Sequence, residues 1–272
     1  MEIIGPMAEP AHPASHLSFE GVSKQFGDRF AVKDLDLQVA PGELFGLIGP
    51  NGAGKTTTIK LAVGLLHPSA GRITVCGHDV QTDGLESRRH LGYVPDSAAL
   101  YDRLTGSEML QLAADLQGVA ADRRRRRIPA LLEAFDLAEA QGQLIMSYSR
   151  GMRQKLALCA ALVHDPEVLF LDEPTVGLDP KGARQLKLML RTLCDSGHTV
   201  FISTHALEIA AALCDRVGIF SDGRLAACGT VPQLAAAGHA DAVRQGGLEA
   251  AFMAVTGARE DESSALLAAL RS

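Results

Sequence analysis

The chain has 272 residues, of which 47% are hydrophobic, enough for one large or two small domains with a buried core. Its formal net charge of −6 provides no overall basic field, which argues against nucleic acid as the main partner. No apolar run approaches the roughly 20 residues needed to span a bilayer, and residues 1–16 contain no signal-peptide core. We therefore expect a cytoplasmic protein.

The chain begins with two segments of different character. Residues 1–16 combine three prolines with small and polar residues, which predicts a flexible N-terminal tail. From 17 to 39, apolar and polar residues alternate, and Gly27 and Gly42 provide turns, so antiparallel strands are predicted. A β-rich subdomain is thus expected ahead of the first motif.

A glycine-rich loop follows the apolar strand predicted at Leu44–Ile48. Residues 49–56 fit the pattern G-x-x-x-x-G-K-[ST], whose backbone N–H groups turn toward a polyphosphate. Lys55 can reach the β- and γ-phosphates, the Thr56 hydroxyl is suited to Mg²⁺, and the helix beginning near Gly54 directs its positive end at the same phosphates. We predict that a nucleoside triphosphate binds to Gly49, Pro50, Asn51, Gly52, Ala53, Gly54, Lys55, Thr56 and Thr57.

A predominantly helical stretch follows two short predicted strands, the second of which ends at Val94. Thr105 and Glu108 have the spacing of a capping box ahead of an apolar helix, and Asp122 is the expected N-cap of the next helix. The segment from about 97 to 163 is therefore predicted to be a helical insertion.

Strands and helices alternate again after this insertion. Apolar strands are predicted at Val168–Asp172 and 199–203, and Asp179 followed by Pro180 is a helix start between them. Residues after Thr230 are predicted to form short helices. Such alternation is typical of a mainly parallel sheet flanked by helices, so the predicted fold class is α/β with an antiparallel β subdomain and a helical insertion.

Two adjacent carboxylates end the strand that precedes this helix. Ligands gather at the carboxyl ends of strands in open α/β sheets, which is where Asp172 and Glu173 lie. Asp172 is suited to hold Mg²⁺, and Glu173 to polarise the water that attacks a γ-phosphate. His205 ends the next strand and can donate a hydrogen bond to that phosphate, although a structural or solvated histidine is the alternative.

An apolar helix begins at Ser149 and Gly151, ahead of the two carboxylates. The simplest interpretation is a capped helix start. A serine hydroxyl, a glycine backbone and a helix dipole also form a second anion site, on a different segment from the phosphate loop.

These motifs appear in the order found in ATP-binding subunits of ABC transporters, and the resemblance covers residues 17–234. The run Tyr148-Ser149-Arg150-Gly151-Met152 further resembles exporter ATPases of the daunorubicin-resistance type. The resemblance implies the P-loop NTPase fold and hydrolysis of ATP to ADP and phosphate. It implies that Glu173 is the base, that Lys55 and His205 contact the γ-phosphate, and that Asp172 and Thr56 hold Mg²⁺.

The same resemblance implies an assembly. Two subunits, expected to be two copies of this chain, would enclose two ATP molecules, each held by one phosphate loop and by the other subunit's Ser149 and Gly151. Asp179 would lie across that interface. A separate transmembrane permease would hold the pair at the inner face of the cell membrane, and residues 235–272 would form a C-terminal helical tail.

Two positions of the resemblance leave alternatives open. Phe26 matches the aromatic residue that stacks on adenine, and a buried core phenylalanine is the other interpretation. Asp96 stands where the family has Gln or Glu, and its shorter carboxylate still suits Mg²⁺ or a lytic water. A soluble regulatory or assembly ATPase shares every motif, and Asp96 also raises the alternative of a module with impaired hydrolysis.

The cysteines show no C-x-x-C spacing, so we interpret them as reduced core residues without chemistry. They are Cys76, Cys159, Cys194, Cys214 and Cys228.

Overall fold

Two β-sheets and their flanking helices organise the chain in the computed structural model, which describes residues 15–97, 99–175, 180–237 and 248–256. In chain order the strands are β1 (Leu17–Phe26), β2 (Arg29–Val39), β3 (Leu44–Ile48), β4 (Ala70–Val75), β5 (His78–Asp79), β6 (Leu91–Val94), β7 (Val168–Asp172), β8 (Thr199–Thr204), β9 (Arg216–Ser221) and β10 (Arg224–Gly229). The α-helices are α1 (Lys55–Ala62), α2 (Gly84–Arg89), α3 (Gly106–Leu116), α4 (Ala121–Ala134), α5 (Arg150–Leu162), α6 (Pro180–Asp195), α7 (Leu207–Leu213), α8 (Val231–Ala237) and α9 (Leu248–Thr256).

The smaller sheet is antiparallel, with the strand order β2-β1-β4-β5. Leu17 and Phe19 of β1 are buried, as the alternation of apolar residues predicts, and Val22 is buried beyond a register irregularity in the strand. His16, the last residue of the predicted tail, donates its backbone N–H to Val39 and accepts one from Cys76. The rest of that tail, apart from Ser15, lies outside the described residues. The predicted antiparallel subdomain is confirmed.

The larger sheet has the order β10-β9-β3-β8-β7-β6 and is parallel from β9 to β6, with β10 antiparallel to β9. Its central strands are buried on both faces, which explains their continuous apolar runs. The predicted α/β class is confirmed. Because these strands are parallel, β3, β7 and β8 all end at one edge, and the segments that follow them meet there.

An aromatic cluster joins the two sheets. The Phe201 ring of β8 lies 5.3 Å from the Phe45 ring and 5.6 Å from the Phe170 ring, both in the larger sheet. It also lies 6.4 Å from Phe19 of the smaller sheet, and all four rings are buried. This packing fixes the antiparallel sheet against the larger sheet that carries the phosphate loop.

The helical insertion contains α3, α4 and α5, as predicted. Thr105 caps α3 by accepting from the Glu108 backbone N–H, and the Glu108 side chain accepts from the Thr105 backbone N–H, so the predicted capping box is confirmed. The predicted N-cap at Asp122 is wrong, because Ala120 precedes α4 and Asp122 lies inside the first helical turn. There its carboxylate faces Arg126 and the positive end of the helix.

Several predictions fall on residues that the structure does not describe. Asp179 is one of these residues. The helix that it was expected to precede does begin at Pro180. The predicted C-terminal tail is described only at 235–237 and 248–256, which belong to α8 and α9. Within the described part of the chain, each helix is too short or too polar to cross a membrane.

The cysteines do not share one environment. Cys159 and Cys194 are buried as predicted, but Cys228 is exposed, so the expectation of five core cysteines is wrong. Cys76 is partly buried beside His90 and Glu167, which come from distant segments that sequence spacing does not connect.

Candidate functional site

A cleft of about 460 Å³ opens over the phosphate loop at the edge where β3 and β7 end. This volume lies within the range of small-molecule sites. The cleft brings residues from four separate stretches of the chain together: Phe26, Arg29, Ala31, Asn51, Gly52, Gly54, Lys55, Thr56, Thr57, Asp96 and Glu173.

The phosphate loop requires glycine at specific points. The φ of Gly54 is 114°, and a Cβ there would collide with the backbone oxygen of Ala31. A Cβ at Gly49 would collide with the backbone oxygen of Phe220. The loop therefore follows the neighbouring backbone closely, and α1 starts at Lys55 with Gly54, which has no side chain, as its N-cap. The first N–H groups of α1 are thus available to an anion.

Lys55 is buried at the base of the cleft, with its side chain 6% exposed. Its Nζ donates to the backbone oxygens of Gly49, at 2.7 Å, and Pro50, at 3.1 Å. The Glu173 Oε1 lies 3.8 Å from the same ammonium. Burial lowers the pKa of Lys55, and the carboxylates of Glu173 and Asp172 oppose that shift.

Asp172 is held from two sides. Its Oδ1 accepts from the Thr56 hydroxyl at 3.2 Å and from the Ser203 hydroxyl through a short hydrogen bond. Its Oδ2 is buried and has no hydrogen-bond partner among the residues that the structure describes. Buried polar atoms are almost always paired, so an orphaned carboxylate oxygen beside a threonine hydroxyl fits a hard cation such as Mg²⁺.

Glu173 adopts a left-handed backbone conformation, with a φ of 48°. This conformation is costly for a residue with a side chain and is common at functional sites. Its backbone N–H donates to the backbone oxygen of Ser203 at 3.1 Å and to the Ser203 hydroxyl at 3.2 Å. Its Oε2 lies 2.9 Å from Nδ1 of His205, so the predicted histidine does reach the carboxylate pair.

Ser203 is a site residue that the sequence analysis missed. It pairs with Asp172 across β7 and β8, and its hydroxyl contacts both carboxylate residues. The signal was only that a small polar residue lies one position before the end of β8, close to His205 in the sequence. A register between two parallel strands was needed to place it beside Asp172.

The remaining predicted residues divide into two groups. Phe26 and Asp96 both line the cleft; Phe26 is 51% exposed, which contradicts the alternative of a core phenylalanine. Ser149 and Gly151 lie instead at the start of α5, where Ser149 accepts from the Met152 backbone N–H at 3.3 Å. Neither of these two lines the cleft of its own chain.

A parallel sheet with a phosphate loop after one strand and paired carboxylates after another defines a P-loop nucleoside triphosphatase. Residues 32–176 match the model of the ABC transporter family, and the chain belongs to that family. It is an ATP-binding subunit that hydrolyses ATP to ADP and phosphate.

Relatives and solved structures agree with this assignment. The chain is 41% identical to a daunorubicin resistance ATP-binding protein of Streptomyces coeruleorubidus, over 93% of this chain and 82% of the relative. It is also 41% identical to a Nod factor export ATP-binding protein of Burkholderia lata, over 78% of this chain and 70% of the relative.

Two solved structures share the fold. One, an ATP-binding subunit of an ABC transporter, has a TM-score of 0.82 and 32% identity, over 89% of this chain and 99% of the other. The second is a dimeric ATP-binding cassette in a post-hydrolysis state with ADP and phosphate. Its TM-score is 0.72 and its identity 25%, over 79% of this chain and 98% of the other.

Proposed function

We propose that this chain energises export through a separate transmembrane permease, and that two copies of it close on ATP at the cytoplasmic face of the membrane. The proposal of export is supported by the similarity to a Nod factor export protein and to a daunorubicin resistance protein.

Dimerisation is proposed because the second anion site lies away from the cleft. Ser149 and Gly151 stand at the start of the 13-residue helix α5, and Ser149 is exposed. A helix start with a hydroxyl that can still donate its proton and a glycine backbone is suited to bind phosphate. A second copy that presents this helix start to the cleft would supply the donors, and a solved relative with ADP and phosphate is a dimer. Asp179 is proposed to lie across the same interface.

The observation that carries the hydrolysis mechanism is the position of Glu173 between Lys55 and His205. Glu173 is proposed to accept the proton of the attacking water, since its carboxylate lies at the end of β7 beside the phosphate loop. His205 is proposed to hydrogen-bond the γ-phosphate and to orient Glu173 through the 2.9 Å contact.

Lys55 and the loop backbone are proposed to bind the β- and γ-phosphates, with contacts from 49–57. Asp172 and Thr56 would hold Mg²⁺, because their oxygens already lie together and one Asp172 oxygen has no described partner. When bound, Mg²⁺ neutralises charge on the phosphate oxygens.

Two cleft residues complete the proposal. Phe26 is exposed at the cleft and is proposed to stack on the adenine ring. Asp96 is exposed there as well, and its Oδ1 accepts from the Ser97 backbone N–H at 2.6 Å. Its carboxylate would contact Mg²⁺ or the lytic water once the cleft closes.

Glu173→Gln tests the hydrolytic part of the proposal. The amide keeps the shape of the side chain but cannot accept the proton, so steady-state phosphate release should fall at least about 100-fold while ATP binding persists. In the presence of ATP, this variant should then accumulate as a dimer, which light scattering detects. Glu133→Gln, on the exposed face of α4, is the matched control and should behave as wild type. Wild-type turnover in Glu173→Gln would remove Glu173 from the mechanism.

The same variant tests the transport part, because we expect its ATP-bound dimer to stay bound to a permease. Tagged Glu173→Gln chain, purified with ATP from detergent-solubilised membranes of the native host, should retain a multi-spanning membrane protein in near-equal amount. Recovery of soluble partners alone would favour a regulatory ATPase instead.

A further inference from the structure

Three side chains of types that bind metals come from distant segments and meet at the amino-terminal ends of the parallel strands. The ATP cleft lies at the other end of these strands. Cys76 lies in the turn after β4, His90 just before β6, and Glu167 just before β7. One sulfur, one ring nitrogen and one carboxylate oxygen from them lie within 4.8 Å of one another. We propose that Cys76, His90 and Glu167 bind a divalent transition-metal ion of the zinc class.

The donor set favours such an ion over Mg²⁺ or Ca²⁺. Thiolate and imidazole are ligands of zinc-like metals, whereas Mg²⁺ and Ca²⁺ prefer oxygen alone. A thiolate and a carboxylate together also neutralise the two positive charges of the ion. With three protein ligands, water can occupy the fourth position.

The distances are close to those that a metal requires. Zinc bonds of about 2.0 to 2.3 Å in a tetrahedron place the ligand atoms about 3.3 to 3.8 Å apart. Nδ1 of His90 already lies 3.1 Å from Oε2 of Glu167. The three ligand atoms lie within 4.8 Å of one another, so side-chain movements of up to about 1.5 Å bring the set into coordination.

The backbone at each ligand is fixed. The Val168 backbone N–H donates to the His90 oxygen at 3.0 Å, and the Thr199 backbone N–H donates to the Glu167 oxygen at 2.7 Å. Sheet hydrogen bonds thus hold the two ligands at adjacent strand starts. A metal bound here needs no rearrangement of the fold.

Cys76 occupies a position in a tight turn that normally favours asparagine. It has a φ of 48° and the following Gly77 has a φ of 83°, and they form the two-residue turn between the paired residues Val75 and His78. Such turns favour Asn-Gly, because both central residues are left-handed. A cysteine here bears a conformational cost, and costs of this kind concentrate at functional sites.

The far side of His90 has the surroundings of a metal ligand. Its Nε2 lies 3.8 Å from Oε1 of Glu86, and the His78 ring stacks on it with the centroids 5.0 Å apart. Metal-bound histidines usually direct their other ring nitrogen to a carboxylate, which fixes the tautomer. Glu86 is placed for this role when Nδ1 binds the ion.

A metal at this position would join the two sheets. Cys76 belongs to the hairpin of the antiparallel sheet, whereas His90 and Glu167 belong to the edge of the parallel sheet. Because the site lies at the opposite end of the strands from the phosphate loop, a bound ion would not contact the nucleotide.

Cobalt titration of the full chain tests the proposal. The protein is stripped with a chelator and kept free of nucleotide, so that Co²⁺ has no phosphate to bind in the ATP cleft. We expect a thiolate-to-cobalt charge-transfer band that saturates at one ion per chain and is abolished by added Zn²⁺. The thermal midpoint should rise with Zn²⁺ concentration, as for any ligand that binds the folded state.

Matched variants decide the result. Cys76→Ser and His90→Gln should each weaken Co²⁺ binding by more than about 100-fold, beyond the loss typical of an outer partner. Cys228→Ser and His67→Gln are the controls and should retain the wild-type band. Unchanged ATP binding and far-ultraviolet circular dichroism in Cys76→Ser would exclude misfolding. The proposal is overturned if the band is absent in wild type, or persists in Cys76→Ser, or is lost in Cys228→Ser.

Discussion

Replacing Ser203 by alanine removes one hydroxyl that contacts both carboxylate residues of the site. The hydroxyl donates to Oδ1 of Asp172, which is 1% exposed, and accepts from the Glu173 backbone N–H at 3.2 Å. Glu173 keeps its bond to the Ser203 backbone oxygen, so the loss falls mainly on Asp172. A hydrogen bond to a charged group contributes about 1.5–3 kcal/mol, and we expect the free energy of unfolding to fall by that amount.

The effect on catalysis follows from the position of Asp172. With only Thr56 on Oδ1, the carboxylate is less fixed, and outer partners of metal ligands typically contribute about 10–100-fold. We therefore expect the Mg²⁺ concentration for half-maximal phosphate release to rise by a factor in this range. Urea unfolding and Mg²⁺ titration of the ATPase rate measure the two effects separately.

Thr199→Ala provides the matched control in the same strand. The Thr199 hydroxyl is also buried and bonds to Ala40 at 3.0 Å, but it lies at the opposite end of β8. It should lower stability without changing the Mg²⁺ dependence. If Ser203→Ala lowers stability but keeps the wild-type Mg²⁺ dependence, Ser203 is structural and the reasoning about Asp172 is refuted.

Two further predictions concern the partner subunit and pH. Ser149→Ala should abolish ATP hydrolysis, while ATP binding to the isolated chain persists. Thr105→Ala removes a comparable N-cap and should keep ATP turnover. Equal losses of turnover in both variants would argue against a role for Ser149 in the second anion site. Burial lowers the pKa of His164 below its ordinary value of 6.5. Below pH 6.5 the unfolded chain therefore binds more protons than the folded chain, and the free energy of unfolding falls as the pH drops. His164→Gln should reduce the stability lost between about pH 7.5 and pH 5.5 in urea unfolding, and an unchanged loss would contradict this assignment.

Local patterns were enough to predict much of the site. The phosphate loop is defined by consecutive residues. Asp172 and Glu173 follow an apolar run that can be recognised from the sequence alone. The capping box of Thr105 is equally local. By contrast, Asp122 was placed by residue type alone, and the helix begins ahead of it because the Ala120 carbonyl oxygen already accepts from the Arg124 backbone N–H.

Contacts between distant segments could not be predicted from the sequence. Ser203 meets Asp172 only through the register of two parallel strands that are 31 positions apart at this pair. Cys76 meets Glu167 only because the antiparallel hairpin packs against the edge of the other sheet. Sequence spacing encodes neither the order of strands in a sheet nor the packing of two sheets.

The contacts of Lys55 would make the proposed nucleotide binding an exchange between anions. Its ammonium lies 3.8 Å from the Glu173 carboxylate and donates to two loop carbonyl oxygens. In the proposed mechanism, phosphate oxygens at Lys55 would compete with Glu173 for the same positive charge, and in doing so they would release that carboxylate toward the water. The chain would then bind phosphate by displacing an internal counter-ion from Lys55.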